Sequence, residues 1–132
     1  MPPEPTLTQL GGERFVSLTT YRASGAPVRT PMWVLRDGRG LLMSTPEGTG
    51  KLKRLLVDPR VTLTPCGRRG RVPKGARAVD GVAEIIRDDE VVDQVAALLL
   101  DKYGLEYRLF MLIERLVRRE NPPRVVLSIK PA

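Results

Sequence analysis

The chain has 132 residues, 42% of them hydrophobic and 28% charged, with 22 Lys plus Arg against 15 Asp plus Glu and a formal charge of +7. That length fits a single domain that buries about two-thirds of its unfolded surface. The excess positive charge calls for an anionic partner, and nucleic acid, an acidic membrane surface or a phosphorylated small molecule would each satisfy it. There is no histidine, so histidine-dependent triads are excluded and no metal site is expected. The single cysteine, Cys66, cannot form an internal disulfide, and it reads as an inert, partly buried residue in a reducing compartment. No apolar run approaches the ~20 residues of a membrane span. "MPPEPTLTQL" lacks the basic and apolar segments of a secretion signal, so a cytoplasmic location is expected.

In chain order, residues 1–10 are expected to be loose. "ERFVSLTTYR" alternates Phe15, Ser17, Thr19 and Tyr21 against Val16, Leu18 and Thr20, which predicts a strand. Ser24-Gly25 turns the chain. "VRTPMWVLR" resumes as a strand, with Pro31 at an edge or a bulge. Asp37-Gly38 is a hairpin signal, and "LLMST" is the third strand. A short helix follows, with Leu52, Leu55 and Leu56 at helical spacing, and Asp58-Pro59 stops it. "RVTLTPC" is a strand, "GRRGRVPKG" a basic loop, and "ARAVDGVAEII" a strand with Gly81 at a bulge. Asp88 is the predicted N-cap of a helix carrying Val92, Val95, Ala96 and Leu99 on one face. After Gly104 a second helix aligns Leu105, Leu109, Leu112, Ile113 and Leu116, "NPP" ends it, and "RVVLSI" is the last strand. The pattern predicts a mainly β, α+β domain over 1–132. It is a small antiparallel barrel with a short helix after the third strand and a helical pair over about 88–119.

The stretch "EGTGKLKR" places Lys51, Lys53 and Arg54 at a helix start, where each surface cation is disfavoured by roughly 0.3–1 kcal/mol. A nucleotide P-loop is excluded, because Thr45 replaces its first glycine and Leu52 its magnesium-binding hydroxyl. A simpler phosphate site fits, with Thr49 (or Gly48) as N-cap and Lys51 beside the free amides. A solvated helix face is the competing interpretation.

Taken in order, "RFVSLTTYRASGAPVRTPMWVL" and "LLMSTPEGTGKLKRLLVDPRVTLTPC" resemble the split β-barrel flavin and deazaflavin proteins. The family includes FMN-binding proteins and pyridoxamine-phosphate-oxidase-like F420-dependent oxidoreductases. "DKYGLEYRLFMLIERL" is similar to an actinobacterial subgroup with a helical insertion before the final strand, and the resemblance runs from Arg14 to Ile129. It implies a homodimer with two cofactor sites at the subunit interface. Thr30, Pro31, Met32 and Trp33 would line the ring, and Ser44 and Thr45 would contact the ring or ribityl chain. Thr49, Lys51 and Lys53 would hold the phosphate, with Arg54 an addition. Gly50 departs from the family, which often carries a bulky residue there.

The implied activity is hydride transfer between reduced F420 and a small organic substrate, with the bond chemistry supplied by the cofactor. FMN is the alternative cofactor, and a carrier without turnover would use the same residues. Arg68, Arg69, Arg71, Lys74 and Arg77 offer more charge than one phosphate needs, which favours the more anionic F420. A nucleic-acid module is disfavoured, because aromatics are only 5% of the chain and a stacking platform needs them at the surface. No catalytic side chain is assigned. Tyr103 and Tyr107 are expected to pack against the barrel rather than reach a substrate.

Overall fold

In the computed structural model residues 6–118 and 123–132 are described. The segment expected to be loose ends in a one-turn helix, α1 (Leu7–Leu10). A capping box closes it: Thr6 Oγ1 accepts the Gln9 N–H, and Gln9 Oε1 accepts the Thr6 N–H. Leu7 and Leu10 are buried in the core, which corrects the expectation for residues 6–10, while residues 1–5 lie outside the described residues. The elements that follow are β1 (Val16–Tyr21), β2 (Pro27–Met32), β3 (Leu35–Asp37), β4 (Gly40–Pro46), α2 (Gly50–Val57) and β5 (Arg60–Pro65). Then come β6 (Val79–Ile86), α3 (Asp89–Tyr103), α4 (Leu105–Arg118) and β7 (Arg124–Pro131).

All strand pairs are antiparallel, in the order β2-β1-β5-β6-β7-β4-β3. "VRTPMWVLR" is therefore two strands, not one, and α2 follows the fourth strand. Trp33 and Val34 carry the chain from one edge of the sheet to the other. Laid flat, seven strands at ~4.8 Å spacing would set the edges roughly 30 Å apart. The three-residue step from Met32 to Leu35 spans at most about 11 Å. The sheet must curl, and the result is a split β-barrel.

The seam is held by the end of α3. The Val34 N–H donates to Tyr103 Oη at 3.0 Å, and that hydroxyl lies 2.9 Å from the Arg14 carbonyl it donates to. Lys102 Nζ donates to the carbonyls of Gly11, Glu13 and Val34 at 3.1, 3.0 and 2.7 Å, which uses all three ammonium protons. Burial lowers the Lys102 pKa, and the nearby Arg14 charge adds to it; burial also raises the Tyr103 pKa.

The barrel interior is apolar, with Val16, Leu18, Leu41, Met43, Leu63, Leu127 and Ile129 fully buried. α2 caps it through Leu52 and Leu55, but Leu56, expected on the same face, is 69% exposed. On the other side of the sheet Val95 and Leu99 of α3 pack on Leu35 and Val126. β7 is thus buried on both faces, which accounts for its nearly continuous apolar sequence. Gly81 sits in unbroken register rather than at a bulge. It is needed because a Cβ there would meet Ile129 Cγ2 at 2.9 Å. Asp88 caps α3 as predicted, its Oδ1 accepting from the Glu90 and Val91 N–H groups. Among the described residues no helix is long and apolar enough to cross a membrane.

Tyr103→Phe leaves the Val34 N–H buried without its acceptor and should cost about 1–3 kcal/mol in denaturant unfolding at neutral pH. A phenol with a raised folded-state pKa stabilises the fold below its unfolded pKa of about 10, and that contribution is lost as pH rises past it. The stability gap between the two proteins should therefore narrow above about pH 10. An unchanged gap up to the alkaline limit would exclude this role.

Candidate anion site at the start of the short helix

The start of α2 gathers Thr49, Gly50, Lys51 and Lys53, and Arg54, expected there as well, belongs to the last turn of this short helix and reaches back over it. Thr49 takes the N-cap position in extended backbone, yet its side chain makes no cap hydrogen bond. Thr49 Oγ1 is buried and has no hydrogen-bond partner among the described residues. Buried hydroxyls without partners are uncommon, because desolvation is then uncompensated.

Arg54 occupies the space beside Gly50. Helical side chains lean toward the N-terminus. Arg54 does so far enough that a Cβ on Gly50 would lie 2.8 Å from its Nη1. Its Nε donates to Thr20 Oγ1 at 2.7 Å, and Thr20 is fully buried on β1. The guanidinium is thus fixed across the turn whose amides lack intrahelical partners. Thr20 was not singled out in the sequence; a threonine among the inward-facing β1 residues Val16 and Leu18 was the only signal. Lys51 is half-buried and Lys53 exposed. Glu47, two residues ahead of the cap, is paired with Arg87 at 3.0 Å, and hydrogen bonding from Arg87 lowers its carboxyl pKa. A cationic turn, an orphan hydroxyl and a neutralised acid fit a phosphate-like anion.

The residues expected around a ring do not share one face. Thr30 is half-buried opposite Leu18, and Met32 is in the barrel core at 8% exposure. Pro31 faces outward, where Gly70 of the basic loop lies against it. Trp33 belongs to the helical layer, with its ring centroid 5.3 Å from Tyr103, 5.5 Å from Tyr107 and 4.8 Å from Phe110. Thr45 points into the barrel, whereas Ser44 points to the helices. Ser44 Oγ accepts from Arg124 Nε at 2.9 Å, and Arg124 forms a nearly buried ion pair with Glu114 of α4 at 2.8 Å. That pair, absent from the sequence-based expectations, is anchored by the lone arginine opening β7. Tyr103 pins the seam, and Tyr107 packs on Trp33 with its hydroxyl pKa raised by burial.

Of the basic loop, Arg68 is bound to Glu106 at 2.8 Å. Arg69, Arg71, Lys74 and Arg77 are exposed and form no ion pair among the described residues. Burial raises the Cys66 thiol pKa, in keeping with an unreactive residue. Among the described residues no cluster of His, Cys, Asp or Glu could hold a metal ion. A surface hollow of about 380 Å³ lies elsewhere, beside α1, between Leu7, Arg39, Asp80 and Pro131. None of the expected binding residues lines it.

A split β-barrel with a cationic helix start defines a recognisable class. The chain belongs to the pyridoxamine 5'-phosphate oxidase family, whose pattern matches residues 4–132. Among solved structures it is similar to an F420 reductase, with a TM-score of 0.66 and 20% identity over 99% of this chain and 96% of that one. It is also similar to the heme storage protein HutZ from Vibrio cholerae (TM-score 0.65, 17% identity, 92% and 83% covered). A FAD-binding protein from Mesorhizobium loti gives a TM-score of 0.62 at 20% identity, with 93% and 84% covered. Comparison with curated proteins returns no match.

Inorganic phosphate should raise the Tm of the unaltered protein, and raise it less for Gly50→Ala, whose new methyl displaces Arg54 from the turn. Thermal scans over a phosphate series check this, and equal gains would show that the placement of Arg54 is irrelevant to anion binding.

Proposed function

We propose that the protein binds the deazaflavin F420 through its phosphate at the start of α2. It then acts as an oxidoreductase on a small organic substrate, working as a homodimer in which each site is completed at the subunit interface. The observation that carries this is the first turn of α2: Arg54 lies folded over Gly50 beside a buried Thr49 hydroxyl with no partner. Thr49 Oγ1, Lys51, Lys53 and the Arg54 guanidinium would hold the phosphate. Pro31, on the outward face of β2 beside the basic loop, is that strand's ring-side candidate. Bound F420 supplies the hydride chemistry. The chain supplies position and charge, and no residue is given a proton-transfer role.

FMN is the second candidate, since one phosphate satisfies α2 alone. Two observations favour F420. Arg69, Arg71, Lys74 and Arg77 form a cationic loop beside β2, suited to the extra carboxylates of F420. A fold neighbour that covers 99% of the chain is an F420 reductase. Both the family and the FAD-binding neighbour agree with a flavin-type cofactor.

Equilibrium dialysis with F420 and FMN side by side tests the proposal. F420 should bind more tightly, and Lys51→Ala should weaken it about tenfold or more, the scale of a charge-assisted hydrogen bond. Retention of neither cofactor at tens of micromolar would overturn the reading. Unchanged affinity in Lys51→Ala would reduce the α2 cations to a solvated face.

A further inference from the structure

We infer that Arg14 and Arg68 form a carboxylate clamp, and that Glu106 of α4 is its built-in occupant, which an acidic ligand displaces. The two arginines come from separate segments, one ahead of β1 and one in the basic loop. They meet on a single side chain. Arg68 Nη2 lies 2.8 Å from Glu106 Oε1, and Arg14 Nη2 donates to Glu106 Oε2. Each guanidinium also lies over an aromatic ring, Arg14 at 5.3 Å from the Tyr103 centroid and Arg68 at 5.9 Å from that of Phe15. The rings favour these positions whichever carboxylate lies between the two cations.

The setting makes the occupant replaceable. The Arg14 and Arg68 side chains are 55% and 71% exposed, and ion pairs so open to water contribute little. A ligand carboxylate held nearby at high local concentration therefore competes with Glu106 on even terms. Within the loop Arg68 is the paired cation, whereas Arg69, Arg71, Lys74 and Arg77 form no ion pair among the described residues. A polyanion drawn to those four meets the clamp as the next cationic group. Glu106 stands in the first turn of α4, two residues past Gly104. The φ of 59° and ψ of −130° at Gly104 suit glycine, so the bend between α3 and α4 sets where the carboxylate lies. A contact that merely fastened the loop to α4 would steady the loop for any ligand. A resident carboxylate opposes acidic ligands alone. The inference rests on the reading of F420 at α2: its carboxylates are the displacing groups, and FMN, which has none, is the control.

Calorimetric titration of the full chain with F420, FMN and a glutamate tetrapeptide tests it. Glu106→Gln keeps the side chain's length and removes its charge. It should bind F420 about three- to tenfold more tightly than the unaltered protein, the scale of one or two exposed ion pairs, with FMN affinity changed less than about twofold. Glu106→Asp keeps the charge at the helix start, but its shorter arm cannot span both guanidiniums, so it should show part of the gain. Glu106→Gln/Arg68→Ala should lose it. Equal F420 affinities for the unaltered protein and Glu106→Gln, or weaker binding by the variant, would overturn the inference and leave the α2 site standing. If F420 binds neither protein, the reading of α2 fails and the tetrapeptide decides. Tighter binding of the peptide by Glu106→Gln would uphold the clamp, and equal binding or none would overturn it.

Discussion

The backbone of Val34 is where the two edges of a seven-stranded sheet are forced together, and its polar groups are out of reach of the ladder. A two-residue step between edge strands leaves that peptide without strand partners, and buried peptide groups must be paired. Tyr103 and Lys102 supply the partners from the last turn of α3. The helical layer is therefore not an appendage to a finished barrel. It closes the seam, and the barrel's curl, the position of Trp33 and the placement of α4 after Gly104 all follow from that closure.

The same curl makes the anion site. β1 is drawn under α2, so Thr20 on its inward face lies within reach of Arg54. The arginine is held back over Gly50 rather than released to water. Cations at a helix start are an electrostatic liability that most proteins avoid. Lys51 and Lys53 stand there, and Arg54 is drawn back over them from the last turn by a part-buried hydrogen bond to Thr20, with Gly50 leaving room for it. The side chain that Gly50 lacks is the room the guanidinium occupies.

Much of this was legible in the sequence. Alternation and turn residues gave most of the strands, Asp37-Gly38 the β3–β4 hairpin, Asp88 the cap of α3, and Thr49 with the leucine spacing the start of α2. What was hidden depended on contacts far apart in sequence. Nothing local in "MWVL" shows that it crosses between sheet edges, because its residues suit a continuous strand. Leu56 and the leucines of α4 have helical spacing, but spacing alone cannot say whether a face meets its own core, and these are exposed. The split of residues 30–33 between barrel interior, outer surface and helical layer followed only from the seam. Thr20 and Arg124 were invisible because their partners, Arg54 and Glu114, are 34 and 10 residues away.

The fold by itself leaves the cargo open, since similar barrels include a heme storage protein, a FAD-binding protein and an F420 reductase. The features of this chain that bear on the cargo are the start of α2 and the exposed cations of the loop beside β2. The location of the phosphate is the most direct test of that account. A crystal structure of the protein grown with F420 should show the phosphate within hydrogen-bond distance of Thr49 Oγ1 and the Arg54 guanidinium. A phosphate bound elsewhere, with Arg54 still directed at Thr20 and Thr49 still unpartnered, would contradict it.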